Sequence, residues 1–204
     1  MTMSTELFFI YDTHCPWSFA TTSLVKEIAD AYPNITLNLW HSAHYEGDEK
    51  VSRKTIDAVE DDANIEFSHE YVKTLNVEKD STLSANLIGW VSQKVPHLTL
   101  ELITAIQKQH FEQGTAFTHE SDFQPIIDEL KLSPPAKVFK EGKIAKEAEF
   151  VLQEIYDFQE YIGTKAIPAL LIAHNENLTL LNHNLYLQNP SAIIEAVELE
   201  LAKN

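Results

Sequence analysis

The sequence predicts an α/β protein whose sheet is interrupted by a long helical block. Three observations predict it. Short apolar runs at residues 7–11, 35–40 and 168–173 are bounded by turn residues, as strands are. Between residues 51 and 158 strand signals fade and helical periodicity takes over. The chain has 204 residues, enough for one core carrying a large insertion.

Leu7-Phe8-Phe9-Ile10-Tyr11 is continuously apolar, which suits a strand buried on both faces. After Asp12 and the turn Thr13-His14-Cys15, a helical pattern runs from Trp17 to Tyr32, with Phe19, Leu24, Ile28 and Ala31 near one face. Pro16 suits its first position, where no backbone N–H is needed. Pro33-Asn34 breaks it, and residues 35–40 alternate apolar and polar like a half-buried strand. These forty residues form a βαβ unit with short connections.

In the middle, a polar, charged stretch runs through Asp62. Helices are expected over about 67–75 and over 83–95, the latter with Ser81 or Thr82 as its cap. Another is expected over 98–113, stopped by Gly114. A shorter one over 122–130 is halted by Ser133-Pro134-Pro135, and a long one over 144–161 by Gly163. A strand over 168–173, a turn at 174–177, a strand over 178–181 and a helix opened by Pro190-Ser191 complete the chain. The order βαβ, helical block, ββα is that of a thioredoxin fold with a helical domain inserted between its halves. The expected divisions are 1–48 and 163–204 for the two halves and 49–162 for the insertion.

Lys and Arg total 15 against 31 Asp and Glu, a formal charge of −16. Such a chain repels phosphate backbones and anionic lipid surfaces, so neither nucleic acid nor membrane is an expected partner. One cysteine allows no internal disulfide, which excludes a disulfide-stapled secreted scaffold. Residues 1–10 lack the basic start and longer apolar stretch of a signal peptide, and no run has the length of a membrane span. A cytoplasmic protein is expected; the oligomeric state is not legible.

Cys15 sits where a strand ends and a helix begins. The unpaired N–H groups and partial positive charge of a helix N-terminus stabilise a thiolate, so its pKa is expected below the free value. Protonated His14 would add positive charge, Pro16 fixes the turn and Trp17 shields one side. The competing reading of Cys15 is a small buried hydrophobe. Ser18, three residues on, is either a hydrogen-bond donor to the sulfur or a helix cap. Pro168 opens a strand after Ile167. A cis bond there would turn the Ile167 backbone toward Cys15, offering it to an extended substrate; the alternative is an ordinary trans loop proline. His41 and His44 flank Ser42-Ala43 without an acidic or cysteine partner, so they read as loop histidines and no metal site is expected. His110, His119, His174 and His183 show no pattern, and Glu60-Asp61-Asp62 reads as a solvated turn.

Asp12-Thr13-His14-Cys15-Pro16-Trp17-Ser18 resembles the Asp-x-x-Cys-Pro-Trp-Cys signature of cytoplasmic DsbA-like proteins, the predicted protein-disulfide isomerase group. Ser81-Thr82-Leu83-Ser84-Ala85, Phe111-Glu112-Gln113-Gly114 and Gly163-Thr164-Lys165-Ala166-Ile167-Pro168-Ala169 resemble further motifs of that group. The resemblance implies that Cys15 is the nucleophile, Pro168 a cis-proline and Ile167 a backbone contact to substrate. Ser18 replaces the second cysteine and Ala166 a loop glycine, so a chain with one cysteine cannot hold a disulfide of its own at this turn. The resemblance also touches 2-hydroxychromene-2-carboxylate isomerase and kappa-class glutathione transferase, which carry a single Ser or Cys at this turn and bind glutathione.

Three functions remain open. One is a single-thiol oxidoreductase or isomerase acting on mixed disulfides of a protein or small molecule, with no tightly bound cofactor and glutathione as co-substrate. The second is a glutathione-dependent isomerase or transferase of a small organic substrate. The third is a non-catalytic binding module.

Overall fold

The computed structural model describes residues 5–203. The expectation about residues 1–10 therefore falls in part on residues 1–4, outside the described residues. The chain opens with strand β1 (Thr5–Tyr11), helix α1 (Pro16–Ala31) and strand β2 (Thr36–His41). Strand β3 (Glu46–Glu49), helices α2 (Arg53–Asp62) and α3 (His69–Val72) and strand β4 (Lys79–Asp80) follow. Helices α4 (Thr82–Lys94), α5 (Thr99–Gln113), α6 (Glu120–Glu129) and α7 (Lys146–Ile162) complete the helical block. Strands β5 (Ala169–His174) and β6 (Asn177–Leu180) and helix α8 (Ile193–Leu201) close the chain.

The main sheet has the order β2-β1-β5-β6. β1 runs parallel to β2 and antiparallel to β5, which pairs antiparallel with β6. Central β1 is buried on both faces because successive side chains alternate. Leu7, Phe9 and Tyr11 enter the large core with Leu24, Val25 and Ile28 of α1 and Ile193 and Val197 of α8. Ile10 enters a second core with Ile155 of α7 and Leu171 of β5. Phe8 joins it, its ring stacked 4.8 Å from Phe158. So α7, expected as part of the helical block, is also the layer that covers the far face of the sheet.

The block is joined to the sheet domain by aromatic packing. Phe111 of α5 stacks on Phe19 of α1 at 4.6 Å, and Phe67 and Tyr71 pack on Phe111 at 5.4 and 4.8 Å. Gly114 and Gly163 end α5 and α7 in the left-handed region, at φ 72° in both cases, as their positions predict. Two features differ from expectation. The polar stretch before Asp62 is helix α2, its N-terminus capped by the Ser52 hydroxyl, which accepts from Thr55 N–H at 3.0 Å. Glu60-Asp61-Asp62 forms its last turn rather than a loop. Strands β3 and β4 form a small separate antiparallel pair inside the block.

Candidate functional site

The turn after β1 is built around a buried carboxylate. Asp12 Oδ1 accepts from His14 N–H at 2.8 Å, and Oδ2 from His44 N–H at 2.7 Å and from the Ser81 hydroxyl at 2.6 Å. Its backbone carbonyl accepts from Cys15 N–H at 3.1 Å, and its N–H donates to Ser18 Oγ at 3.2 Å. One fully buried residue thus ties the end of β1, the loop after β2 and the residue preceding α4 to the Cys15 turn. Burial acts to raise the Asp12 pKa. The adjacent His41 and His14 and the Ser81 and His14 hydrogen bonds outweigh it and hold the carboxyl below its ordinary value.

Two histidines, His14 and His41, are buried against this carboxylate, and a third, His110, packs on His14. Backbone N–H groups of Ala43 and Thr13 point at the two ring nitrogens of His41, at 3.0 and 3.1 Å. A protonated ring would meet both with N–H groups of its own, so the site favours the neutral ring. Burial, the largest cause, pushes its pKa down to about 4. His14 Nε2–H donates to the Ala116 carbonyl at 3.1 Å, and its Nδ1 lies 3.1 Å from the Thr13 hydroxyl. The His110 ring packs 4.1 Å from that of His14; its Nδ1–H donates to the Thr115 carbonyl at 2.7 Å, and its Nε2 is buried without a partner. Burial lowers the pKa of both. His14 is therefore fully buried, and with its pKa held below the ordinary imidazole value it does not supply the positive charge expected beside Cys15. His41 and His110 likewise belong to this cluster and are not stray loop histidines.

Cys15 is the residue before the first turn of α1, with Pro16 at that helix's start. Its side chain makes no capping bond, and the residue keeps 7% of its surface. Burial pushes the thiol pKa up. The Ser18 N–H and hydroxyl and the Trp17 N–H act against that without overcoming it. The expectation of a depressed pKa is therefore corrected: desolvation of the sulfur outweighs the helix terminus. Ser18 is fully buried, while Trp17 is half-buried on the edge of the large core.

The Ile167–Pro168 peptide bond is cis. The pairing of Ile10 with Ala169 sets Pro168 beside the last residue of β1, at the sheet end where the Cys15 turn begins. An open cleft of about 400 Å³ borders Pro168 and is lined also by Thr164, Ala166, Leu181, Asn182 and His183. Cys15 does not line this cleft. Among the described residues no group of three or more His, Cys, Asp or Glu is arranged to hold a metal ion, and no helix is long and apolar enough to cross a membrane.

No family model and no curated protein matches the chain. Solved structures do. The cytosolic disulfide reductase DsbM from Pseudomonas aeruginosa, solved with glutathione, superposes with a TM-score of 0.78 at 16% identity over 97% of this chain and 100% of that one. The chain has a DsbA-like thioredoxin fold. A periplasmic thioredoxin-like protein from Salmonella enterica serovar Typhimurium shares it, with a TM-score of 0.56 at 10% identity over 98% of this chain and 91% of that one. So does a 2-hydroxychromene-2-carboxylate isomerase, with a TM-score of 0.55 at 13% identity over 96% of this chain and 95% of that one.

Within this fold the structure brings Cys15, Ser18 and the Pro168 segment to one sheet end. It turns His14 inward and adds groups that sequence reasoning missed. Tyr45, Tyr71, Lys79 and His110 come from four different elements or loops around the turn. The Lys79 ammonium donates to the Thr74 carbonyl and hydroxyl at 2.7 and 2.9 Å and lies 5.5 Å from the Tyr71 ring centre. Burial pushes its pKa down to about 8. No spacing rule links these residues. The one legible hint is Ser81, whose motif the sequence singles out and whose hydroxyl reaches Asp12.

Proposed function

We propose that the protein is a single-thiol disulfide oxidoreductase or isomerase that works with glutathione. The observation that carries this reading is the lone sulfur of Cys15 at the start of α1, at the same sheet end as the backbone preceding Pro168. In the first step the Cys15 thiolate attacks the glutathione sulfur of a mixed disulfide. The substrate leaves as its thiolate and takes up a proton, and Cys15 is left joined to glutathione. A second glutathione thiolate then attacks that bond, giving oxidised glutathione and free Cys15. Each cycle consumes one free glutathione: the substrate sulfur ends as a thiol, the glutathione it carried ends in oxidised glutathione, and the protein ends unchanged.

In this reading Cys15 is the nucleophile and Ser18 a donor that eases its ionisation. Ile167 and Pro168 offer the backbone edge to an extended substrate, and Pro16 and Trp17 shape the rim. The partner is a disulfide-bearing protein or small molecule, the co-substrate glutathione, and the compartment the cytoplasm. The cleft beside Pro168 has the place and size to receive the substrate's chain. The organisation that goes with it is two thioredoxin-fold halves, 1–48 and 163–204, with the block 49–162 over the site and α7 serving both.

Purified protein should accelerate reduction of a glutathione mixed disulfide of a small thiol by glutathione, followed through oxidised glutathione formation. Cys15→Ser should lower that turnover at least a hundredfold. Undiminished turnover in Cys15→Ser overturns the reading. The covered sulfur with its raised pKa favours one rival, a glutathione-dependent isomerase or transferase in which bound glutathione supplies the reacting thiolate. That rival predicts glutathione binding and turnover of an electrophilic organic substrate that survive Cys15→Ser.

A further inference from the structure

β2 is an end strand of the main sheet, paired only with β1. Ser42 N–H donates to the Tyr11 carbonyl at 2.7 Å, directly after the last pair of that ladder, Tyr11 with His41. In a parallel ladder alternate residues of a strand turn both backbone groups to the same neighbour. That bond therefore fixes the direction of the others. Asn38 and Trp40 face β1, while Leu37 and Leu39 turn their N–H and C=O groups to the free edge. Among the described residues no other backbone group pairs with these four. Leu39 keeps only 7% of its surface, and backbone groups so placed need a partner.

The edge forms the floor of a slot. An open cavity of about 300 Å³ runs along Leu37 to Trp40, four consecutive strand residues. Its walls are Phe150 and Val151 of α7 and the corner from α4 to α5, with Pro96 and Leu100. Phe150 is 61% exposed, a large apolar ring left uncovered at the mouth. No Asp, Glu, Lys or Arg lines the slot. Charge begins at its ends. Glu6 accepts from the Asn38 side-chain amide at 3.0 Å, Glu101 follows Leu100 and Glu149 precedes Phe150; Lys94, after Gln93, opposes these three acids.

We propose that the slot takes an extended segment of a partner protein, which adds a strand to the free edge of β2, with uncharged side chains in the slot and lysines or arginines on either side of them. Extended backbone supplies donors and acceptors at the spacing that Leu37 and Leu39 offer. Four strand residues span about 13 Å at roughly 3.3 Å each, so the uncharged part is about three or four residues long. A charged side chain inside would lose its water without gaining a partner. Basic flanks are drawn by the acids at the ends and by the −16 charge of the chain. Walls on two sides admit a single strand and hold off the edge of a second folded copy. Cys15 does not line the slot, and its chemistry has no part in the proposal.

The probe is a fluorescent, end-capped peptide with a Val-Thr-Val centre and two lysines at each end. Anisotropy in about 0.15 M salt should show saturable binding to the full chain below roughly 1 mM peptide. The same peptide N-methylated at its three central amides should bind about tenfold more weakly or worse, and so should one with a Glu-Thr-Glu centre. In ¹⁵N-labelled protein, saturating peptide should slow exchange of the Leu37 and Leu39 amides about tenfold. Leu37→Pro removes one edge-facing N–H and spares the ladder to β1, so it should weaken binding several-fold. Should that variant not fold, the exchange of the wild-type amides decides. Absence of binding at 1 mM peptide overturns the proposal. Equal binding of the N-methylated peptide overturns it too, because charge attraction alone would then account for the complex. Leu37 and Leu39 amides indifferent to bound peptide have the same consequence. A concentration-dependent dimer that already protects those amides, and that the peptide does not disperse, would assign the edge to a second copy instead.

Discussion

Asp12 holds an ionised carboxylate where no solvent reaches it, and the donors around it explain how. Two backbone N–H groups and the Ser81 hydroxyl saturate its oxygens within 2.8 Å. Removing the charge while keeping the shape should therefore be costly. Asp12→Asn should lose about 2 kcal/mol of unfolding free energy at neutral pH, the typical worth of a hydrogen bond to a charged group. The same change should lower the Cys15 pKa, since the carboxylate opposes thiol ionisation. Urea unfolding and thiol titration check the two effects, and wild-type stability in Asp12→Asn would contradict the role assigned to this residue. At this scale the cysteine, its proline and Ser18 were legible because they are neighbours in sequence. The phenols and His110 were not, because they reach the turn only through packing.

Helix α4 crosses α7 so closely that Gly89 has no room for a side chain. A Cβ built there would lie 2.9 Å from Ala148 N and 3.0 Å from Ala148 Cα, both backbone atoms that cannot step aside. On propensity alone Gly89→Ala would strengthen the helix by about 1 kcal/mol. Overpacking against a fixed backbone costs about 1–3 kcal/mol and acts the other way. The variant should be less stable than wild type in chemical denaturation, and a gain would show that α4 and α7 are free to separate. Elements were readable where burial imposes a pattern. β1, α1, β2, α4, α5, α6, α7, β5, β6 and α8 all fall on expected segments. Helix α2 was overlooked because only Ile56 and Val59 of its ten residues are buried. Strand β3, Glu-Gly-Asp-Glu, is exposed throughout and carries no apolar signal at all. α3 is shorter than the expected 67–75 because the apolar residues on its flanks serve the aromatic cage rather than a helix face.

Three neutral, buried histidines make the whole molecule sensitive to acid. His14, His41 and His110 all have pKa values below the ordinary imidazole value of 6.5, His41 at about 4. The folded protein therefore binds fewer protons than the unfolded chain as pH falls through and below 6.5. Stability should fall with it, by up to about 1.4 kcal/mol per pH unit for each histidine, until the folded-state values are reached. Asp12, also depressed, adds a loss below pH 3.8. The −16 charge works in the opposite sense, since acid relieves self-repulsion. That effect acts over solvent-exposed distances and is screened beyond about 8 Å in physiological salt, while the buried rings are not. Urea unfolding in 0.15 M salt should show stability declining steadily from pH 7 to pH 5. A flat or rising profile would mean that the histidines are not held neutral.

The sequence by itself determined the class and order of the elements, the split of the sheet by a helical block and the location of the thiol at a strand-to-helix corner. Each is written in local pattern: apolar runs, helical periodicity, a proline at a helix start, glycines at helix ends. The tertiary structure alone decided the state of that thiol. Whether a sulfur is ionised depends on how much water it loses and which charges and donors approach it. Here the charge and the donors are sequence neighbours, Asp12, Trp17 and Ser18, but the loss of water that outweighs the donors comes from a core assembled across the whole chain. Long-range packing set the burial, and burial, not the helix end that the sequence displays, governs the proton on Cys15.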